Sequence, residues 1–146
     1  MPGERWAPSL ADVARHIPTR TRDFATPGSD RLLGTFSEAT TPTAEQAQAD
    51  VDAAVRAILA EVGAVPQVDV VEAAARDAAE WRAAADIELA YPTRDATVQV
   101  ARDLDARAKA ALDRLKVVLT EAGTGALVEP VWAFPDPPAW GDDLLL

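Results

Sequence analysis

The one histidine of the chain, His16, is the residue best suited by type to acid–base chemistry. With a serine and an aspartate it could form a hydrolytic triad, in which the imidazole takes a proton from the serine hydroxyl. The pattern places it at the end of a short helix, where the helix dipole favours a structural histidine. No nucleophile elbow, phosphate loop, zinc-protease or dinucleotide-binding motif is present in the sequence. We predict a protein that is not an enzyme, with a small helical enzyme using His16 as one alternative.

Carboxylates recur along one predicted helix and suggest a site for two metal ions. They are Asp69, Glu72, Glu80, Asp86 and Glu88. Helical bundles that bind metal in this way also use Glu-x-x-His pairs, which this chain lacks. Cysteine is absent, which excludes thiolate metal ligands, disulfides and a cysteine nucleophile. We expect no metal and no cofactor, and interpret the carboxylates as solvated helix faces with i,i+4 pairs such as Glu72–Arg76 and Asp105–Lys109.

Arginines cluster near the start of the chain, at Arg15, Arg20, Arg22 and Arg31. The first 35 residues hold five arginines against four acids, whereas the whole chain has a net charge of −10. A general nucleic-acid binder normally has the opposite charge. The cluster therefore has two interpretations: a weak DNA-facing patch, or ion pairs with the acidic helices of a neighbouring chain, which the arginine fork suits.

Composition predicts the elements that position these residues. Alanine, the strongest helix former, supplies 32 of the 146 residues. Hydrophobic residues make up 49% and charged residues 26%, as in a globular domain. Apolar residues recur at helical spacing in four segments, namely 9–17, 43–62, 68–90 and 95–122. The predicted fold class is all-α: a small helical bundle of three long helices plus a short N-terminal helix.

Caps and breakers indicate where these helices begin and end. Ser9 suits the N-cap of the first helix, and Thr43 with Gln46 forms a capping box before the second. Gly63 and Gly123 are placed to end the first and last long helices. On the middle long helix the apolar stripe assigns Trp81 to the bundle core. Tyr91, just beyond that stripe, is a candidate for the edge of a subunit.

Two segments fall outside the helical pattern. Residues 18–42 contain six threonines, three prolines and two glycines, and a loop of this length is typically functional or ordered by a partner. We predict that residues 18–42 form a long loop that a partner orders. Residues 124–146 contain four prolines and two of the four tryptophans but no lysine or arginine. We therefore divide the chain into a helical domain at 1–123 and an extended docking arm at 124–146.

Eight residues are the predicted partner contacts. In the loop they are Arg20, Arg22, Phe24 and Phe36, and in the arm they are Val131, Trp132, Phe134 and Trp140. Aromatic side chains fill pockets on a partner well, and proline lowers the entropy lost when an extended arm docks. We expect the arm to dock on another subunit, the alternative being that it folds back and caps its own bundle.

The first ten residues contain no apolar core of a secretory signal. Likewise, no stretch approaches the ~20 apolar residues that cross a bilayer. We expect a protein made in a cytoplasm and without membrane contact.

Four short motifs follow one another along the chain. They are W-A-P-S-L-A-D-V-A at 6–14, I-P-T-R-T-R-D at 17–23, L-G-T-F-S-E-A-T-T-P-T at 33–43 and I-E-L-A-Y-P at 87–92. In this order and spacing they resemble the head-to-tail adaptor (connector) proteins of long-tailed phages that infect high-GC bacteria. The resemblance covers residues 6 to about 120, and the arm matches in character only.

The resemblance implies a structural protein of the virion, without enzymatic activity. Such adaptors form a ring, usually dodecameric, beneath the portal protein of the capsid. Their arm or loops grip the portal, and the lower face receives a stopper or tail-completion protein. Genomic DNA passes through the lumen without sequence-specific binding. The expected location is the neck between head and tail, after synthesis in the host cytoplasm. An alternative of another class is a cytoplasmic helical protein-binding module that docks a partner through its C-terminal arm.

Overall fold

A computed structural model describes residues 3–91 and 95–127, with side chains described over 3–91 and 98–123. In these ranges the chain forms four α-helices and one 3-10 turn at Pro18–Thr21. The helices are α1 (Leu10–Ala14), α2 (Ala44–Val62), α3 (Asp69–Ala90) and α4 (Asp95–Leu127). The extended pairing described here is a single bridge between Arg22 and Leu32. The predicted all-α fold, with three long helices and a short N-terminal helix, is confirmed.

The ends of α2 follow the local chemistry that the sequence predicted. The Thr43 hydroxyl accepts from the Gln46 amide, and the Gln46 side chain accepts from the Thr43 amide, which completes the capping box. Gly63 ends the helix with a φ of 82°, a left-handed conformation that costs glycine little. α1 also begins with a capping box, formed by Ser9 and Asp12.

α4 is longer than the sequence indicated, because Gly123 does not end it. The helix runs on to Leu127, so the prediction that an extended arm begins at residue 124 is wrong for 124–127. A glycine inside a helix costs about 1 kcal/mol relative to alanine, which the rest of a 33-residue helix tolerates. The remainder of the predicted arm, 128–146, lies outside the described residues.

α3 is the central helix of the bundle. α4 packs along it most extensively, and α2 and α1 also pack against it. Because only short connections join α2 to α3 and α3 to α4, each of these pairs is antiparallel. α2 and α4 therefore run in the same direction, and each of them packs against α3.

Alanine lines much of both sides of the core. One buried cluster includes Val13, Phe36 and Ile87, and a second includes Trp6 and Leu115. Trp81 packs against both clusters while remaining partly exposed, which agrees with its assignment to the core. Small side chains allow the α3 and α4 backbones to approach closely, so the two helices pack along most of the length of α3.

Segment 18–42 is held by contacts within the chain. Thr21, Phe36 and Thr40 are buried. The Thr40 hydroxyl lies 2.7 Å from the Pro42 carbonyl, and the Leu33 amide donates to the Thr21 carbonyl at 2.9 Å. These contacts correct the expectation that a partner is needed to order the loop.

None of the helices in the described part of the chain is both long enough and apolar enough to cross a membrane.

Candidate functional site

Three glutamates of α3, spaced eight residues apart, form a ladder of buried carboxylates. Glu72, Glu80 and Glu88 are 9%, 6% and 4% exposed. Eight helical residues correspond to roughly 12 Å along the axis. Each carboxylate pairs with a cation of the N-terminal segment, which therefore runs along α3. Their interpretation as solvated helix faces is wrong, because the N-terminal segment covers them.

The first rung joins Arg5 to Glu72. Arg5 Nε donates to Glu72 Oε1 at 2.9 Å, and its Nη2 contacts the second carboxylate oxygen. The hydrogen bond from Arg5 holds the pKa of the Glu72 carboxyl below its ordinary value, since it favours the charged form. Glu72 thus pairs with Arg5 and not, as the i,i+4 spacing suggested, with Arg76. Arg76 donates instead to the Trp6 carbonyl at 3.3 Å.

The second rung is built around His16. Its Nε2 lies 3.0 Å from Glu80 Oε2, and Arg15 Nη2 lies 3.6 Å from the same oxygen. The imidazole stacks on Trp81 with ring centroids 3.8 Å apart. On α4, the Arg107 guanidinium lies 5.0 Å from the Trp81 ring centroid. This rung ties the residues just after α1 to α3, and through Trp81 to α4.

These contacts describe His16 as a residue that joins helices. A histidine whose ring is stacked and whose Nε2 faces a buried carboxylate is held in one orientation. A catalytic role would further require a reacting group in contact with the imidazole. Among the described residues, no group of three or more histidine, aspartate or glutamate side chains is placed to hold a metal ion.

The third rung corrects a predicted partner contact. Arg20 donates from Nε and Nη2 to the two oxygens of Glu88, each at 2.8 Å, and both side chains are buried. Phe36, a second predicted contact, is 4% exposed and belongs to the bundle core. Neither side chain reaches the surface, because the loop folds onto its own helices.

Two predicted loop contacts do lie at the surface. Phe24 is 59% exposed, and the Arg22 guanidinium lies 5.5 Å from its ring centroid. Arg22 also pairs with Asp30 at 2.7 Å. Of the arginine cluster, Arg20 is buried against α3 of its own chain, so it is not part of a DNA-facing patch and does not bind a neighbour's acidic helix. Arg15 also contacts α3, through Glu80, but its side chain is 66% exposed.

Most of the exposed large apolar side chains lie near one of the two ends of the α3–α4 hairpin. The turn end, where α3 gives way to α4, carries Phe24, Leu32, Leu89, Val98 and Val100. The far end carries Val68 and Val70, whereas Val117 lies on the side of α4 that points away from α3. The third rung places the loop at the turn end, since Arg20 binds the last turn of α3 and the Leu33 amide bonds to Thr21.

The remaining candidates are only partly within the described structure. Val131, Trp132, Phe134 and Trp140 lie outside the described residues. Tyr91 packs against the first core cluster and is partly buried. Sequence reasoning missed the ladder itself, although its signal was present: three glutamates at a regular spacing of eight, set among the alanines of α3.

Comparison with known proteins yields no match to a protein family, to a curated protein or to a solved structure.

Proposed function

We propose that the chain is a head-to-tail adaptor of a phage neck, a structural protein that forms a ring beneath the portal and connects capsid to tail. Its partners in this role are further copies of itself, the portal protein, and a stopper or tail-completion protein. Genomic DNA passes through the lumen of the ring. The protein acts by shape and contact, without catalysis or a cofactor.

The observation that carries the proposal is the pair of exposed apolar groups at the turn end and the far end. We interpret each group as part of one surface, because a contiguous apolar patch exposed on a small domain marks a surface that another protein covers. A monomer with one partner needs one such surface. An adaptor lies between two neighbours along the axis of the neck and needs one at each end.

The motifs that carry the family resemblance supply a second argument. Trp6, Ile17, Phe36 and Ile87, one from each motif, are all buried. Arg20 and Glu88, from two different motifs, form the third rung of the ladder. Members of one family are expected to share the residues that determine their fold. We therefore interpret the resemblance as a likeness in how the bundle is built.

Charge also suits a protein that surrounds DNA. α2 carries four acids against one arginine. Of the six acids of α3, the three ladder glutamates are buried and paired, so they do not add to an acidic surface. An acidic lumen repels phosphate and lets DNA move without binding it. This part of the proposal fails if the residues that face the channel are mainly arginine.

Electron microscopy of the purified chain, alone and mixed with portal rings from the same genome, tests the proposal. The expected result is a ring with an axial channel, attached to one face of the portal. A chain that stays monomeric and never attaches to the portal contradicts the proposal. If that monomer instead binds another protein through residues 128–146, the alternative of a cytoplasmic protein-binding module is supported.

A further inference from the structure

The outer faces of α2 and α4, which point away from α3, carry the same pattern of exposed residues. On α2 the pattern consists of Ala49, Ala53, Arg56 and Ala60. On α4 it consists of Ala106, Ala110, Asp113 and Val117. Both have the spacing four, three, four, which places all members on one side of a helix. In each, three positions are apolar and the third position is charged, positive on α2 and negative on α4.

The two patterns also run in the same direction. α2 and α4 are both antiparallel to α3, so they are parallel to each other. When a second copy lies alongside with its helices in the same orientation, α2 of one chain meets α4 of the next in parallel. Ala53 then lies opposite Ala110 and Arg56 lies opposite Asp113. Alanine at the contact lets the two helices approach closely.

The charges select this pairing over the symmetric ones. Arg56 is the one basic residue of α2. Two α2 faces in contact would place arginines near each other, and two α4 faces would place aspartates near each other. Among the described residues, neither Arg56 nor Asp113 forms an ion pair within its own chain. Each charge is therefore available to the opposite charge on a neighbour.

We propose that the outer face of α2 on one chain packs against the outer face of α4 on the next copy. The contact joins two different surfaces, so it leaves a free α2 face and a free α4 face at the two ends of every pair. Such a contact adds copies until they close into a ring or continue as a filament. The inference deepens the proposed function, on which it rests, by naming the lateral surfaces of the ring.

Cysteine cross-linking in full-length protein tests the contact, because the natural chain has no cysteine. Ala53→Cys and Ala110→Cys are made in separate chains, mixed in equal amounts and oxidised mildly. Opposed helices at close approach bring the two Cα atoms within the roughly 4.4–6.8 Å that a disulfide spans. The expected product is a mixed dimer that neither variant forms alone. The matched control replaces Ala110→Cys with Ala73→Cys, at an exposed alanine of α3, and should give only background.

Charge reversal then tests the pairing of Arg56 with Asp113. Arg56→Glu in the Ala53→Cys chain should lower the cross-linking yield roughly tenfold, because two acids then face each other. Adding Asp113→Arg to the Ala110→Cys chain should restore the yield. Arg31→Glu, which changes the net charge equally in the exposed loop, should leave it unchanged.

Three results overturn the inference: a mixed dimer no more abundant than the Ala73→Cys control, equal dimers from Ala53→Cys alone, or no recovery in the doubly reversed pair. These outcomes are separable from failure of the proposed function. Portal-bound rings with no α2–α4 cross-link would refute only the lateral contact. Cross-linked filaments that never close or attach to a portal would support the contact and refute the adaptor.

Discussion

Arg20 and Glu88 lie 68 positions apart in the chain and are joined by two hydrogen bonds of 2.8 Å, with the residues only 8% and 4% exposed. A bidentate pair at this depth fixes both the position and the orientation of the guanidinium. It therefore anchors the 3-10 turn, and the loop that follows, to the last turn of α3.

Arg20→Ala should lower the free energy of unfolding by about 3–5 kcal/mol, because it leaves Glu88 buried without a partner. Urea unfolding at neutral pH measures the effect. Arg22→Ala is the matched control, since its pair with Asp30 is exposed and worth roughly 0–1 kcal/mol. If both variants lose the same free energy of unfolding, Glu88 becomes solvated or finds another partner when Arg20 is removed.

The Arg5–Glu72 rung should make stability depend on pH below neutrality. The pKa of Glu72 is lower in the folded chain than its ordinary value of 4.5, so the unfolded chain binds more protons between the two values. The stability that this rung contributes is present above the unfolded pKa and is lost as the pH falls through the folded one.

Urea midpoints measured from pH 6 downward test this prediction. Arg5→Gln should flatten the decline, whereas Arg102→Gln, on the exposed side of α4, should leave it in place. The low pKa of Asp12, set by hydrogen bonds from Ser9, contributes equally in all three proteins. An unchanged slope in Arg5→Gln would contradict the assignment.

Leu115→Ala should destabilise the chain by about 2–5 kcal/mol, because Leu115 is fully buried and the change leaves a cavity in the second core cluster. Val117→Ala, on the same helix but 56% exposed, should change stability by less than about 0.5 kcal/mol. Thermal unfolding of the pair measures the contrast. If Val117→Ala lowers the stability of the self-associated protein strongly but leaves that of the monomer unchanged, Val117 lies in an interface between chains.

His16→Gln should preserve attachment to the portal, because the amide can donate to Glu80 in place of the imidazole. Microscopy of the variant with portal rings checks this directly. A folded variant that loses its biological role would instead favour the enzyme alternative, in which His16 handles a proton.

Removal of residues 128–146 should abolish attachment to the portal without changing the unfolding temperature. The cut falls after Leu127, since α4 continues to that residue. Trp132→Ala combined with Trp140→Ala in the full chain should reproduce the loss if the arm binds through its aromatics. A truncated chain that still attaches would refute the docking arm, and a lower unfolding temperature would indicate that the arm covers its own bundle.

Local chemistry was well predicted from the sequence. The Thr43 capping box, the Gly63 cap and the Asp105–Lys109 pair each depend on residues within four positions of one another, and all are formed. The apolar stripes likewise identified three long helices, because helical periodicity is a property of the segment itself.

The long-range pairs could not be predicted in the same way. Glu72, Glu80 and Glu88 look like surface residues until the N-terminal segment is laid over α3, and no local pattern specifies that placement. Arg20 and Phe36 were assigned to a partner for the same reason. Gly123 does not end α4, because the neighbouring residues and the length of the helix outweigh the low helix propensity of glycine.

The eight-residue ladder ties the lengths of two segments to each other. One residue inserted into α3 between Glu80 and Glu88 would turn Glu88 by roughly 100° and shift it by about 1.5 Å, out of reach of Arg20. To restore the contact, a residue would also have to be inserted between His16 and Arg20. That segment contains a 3-10 turn and not an α-helix, so an insertion there would move Arg20 differently. Insertions and deletions are therefore expected in the connection at 63–68 and in the loop at 25–31, while the spacings 5–20 and 72–88 change only together.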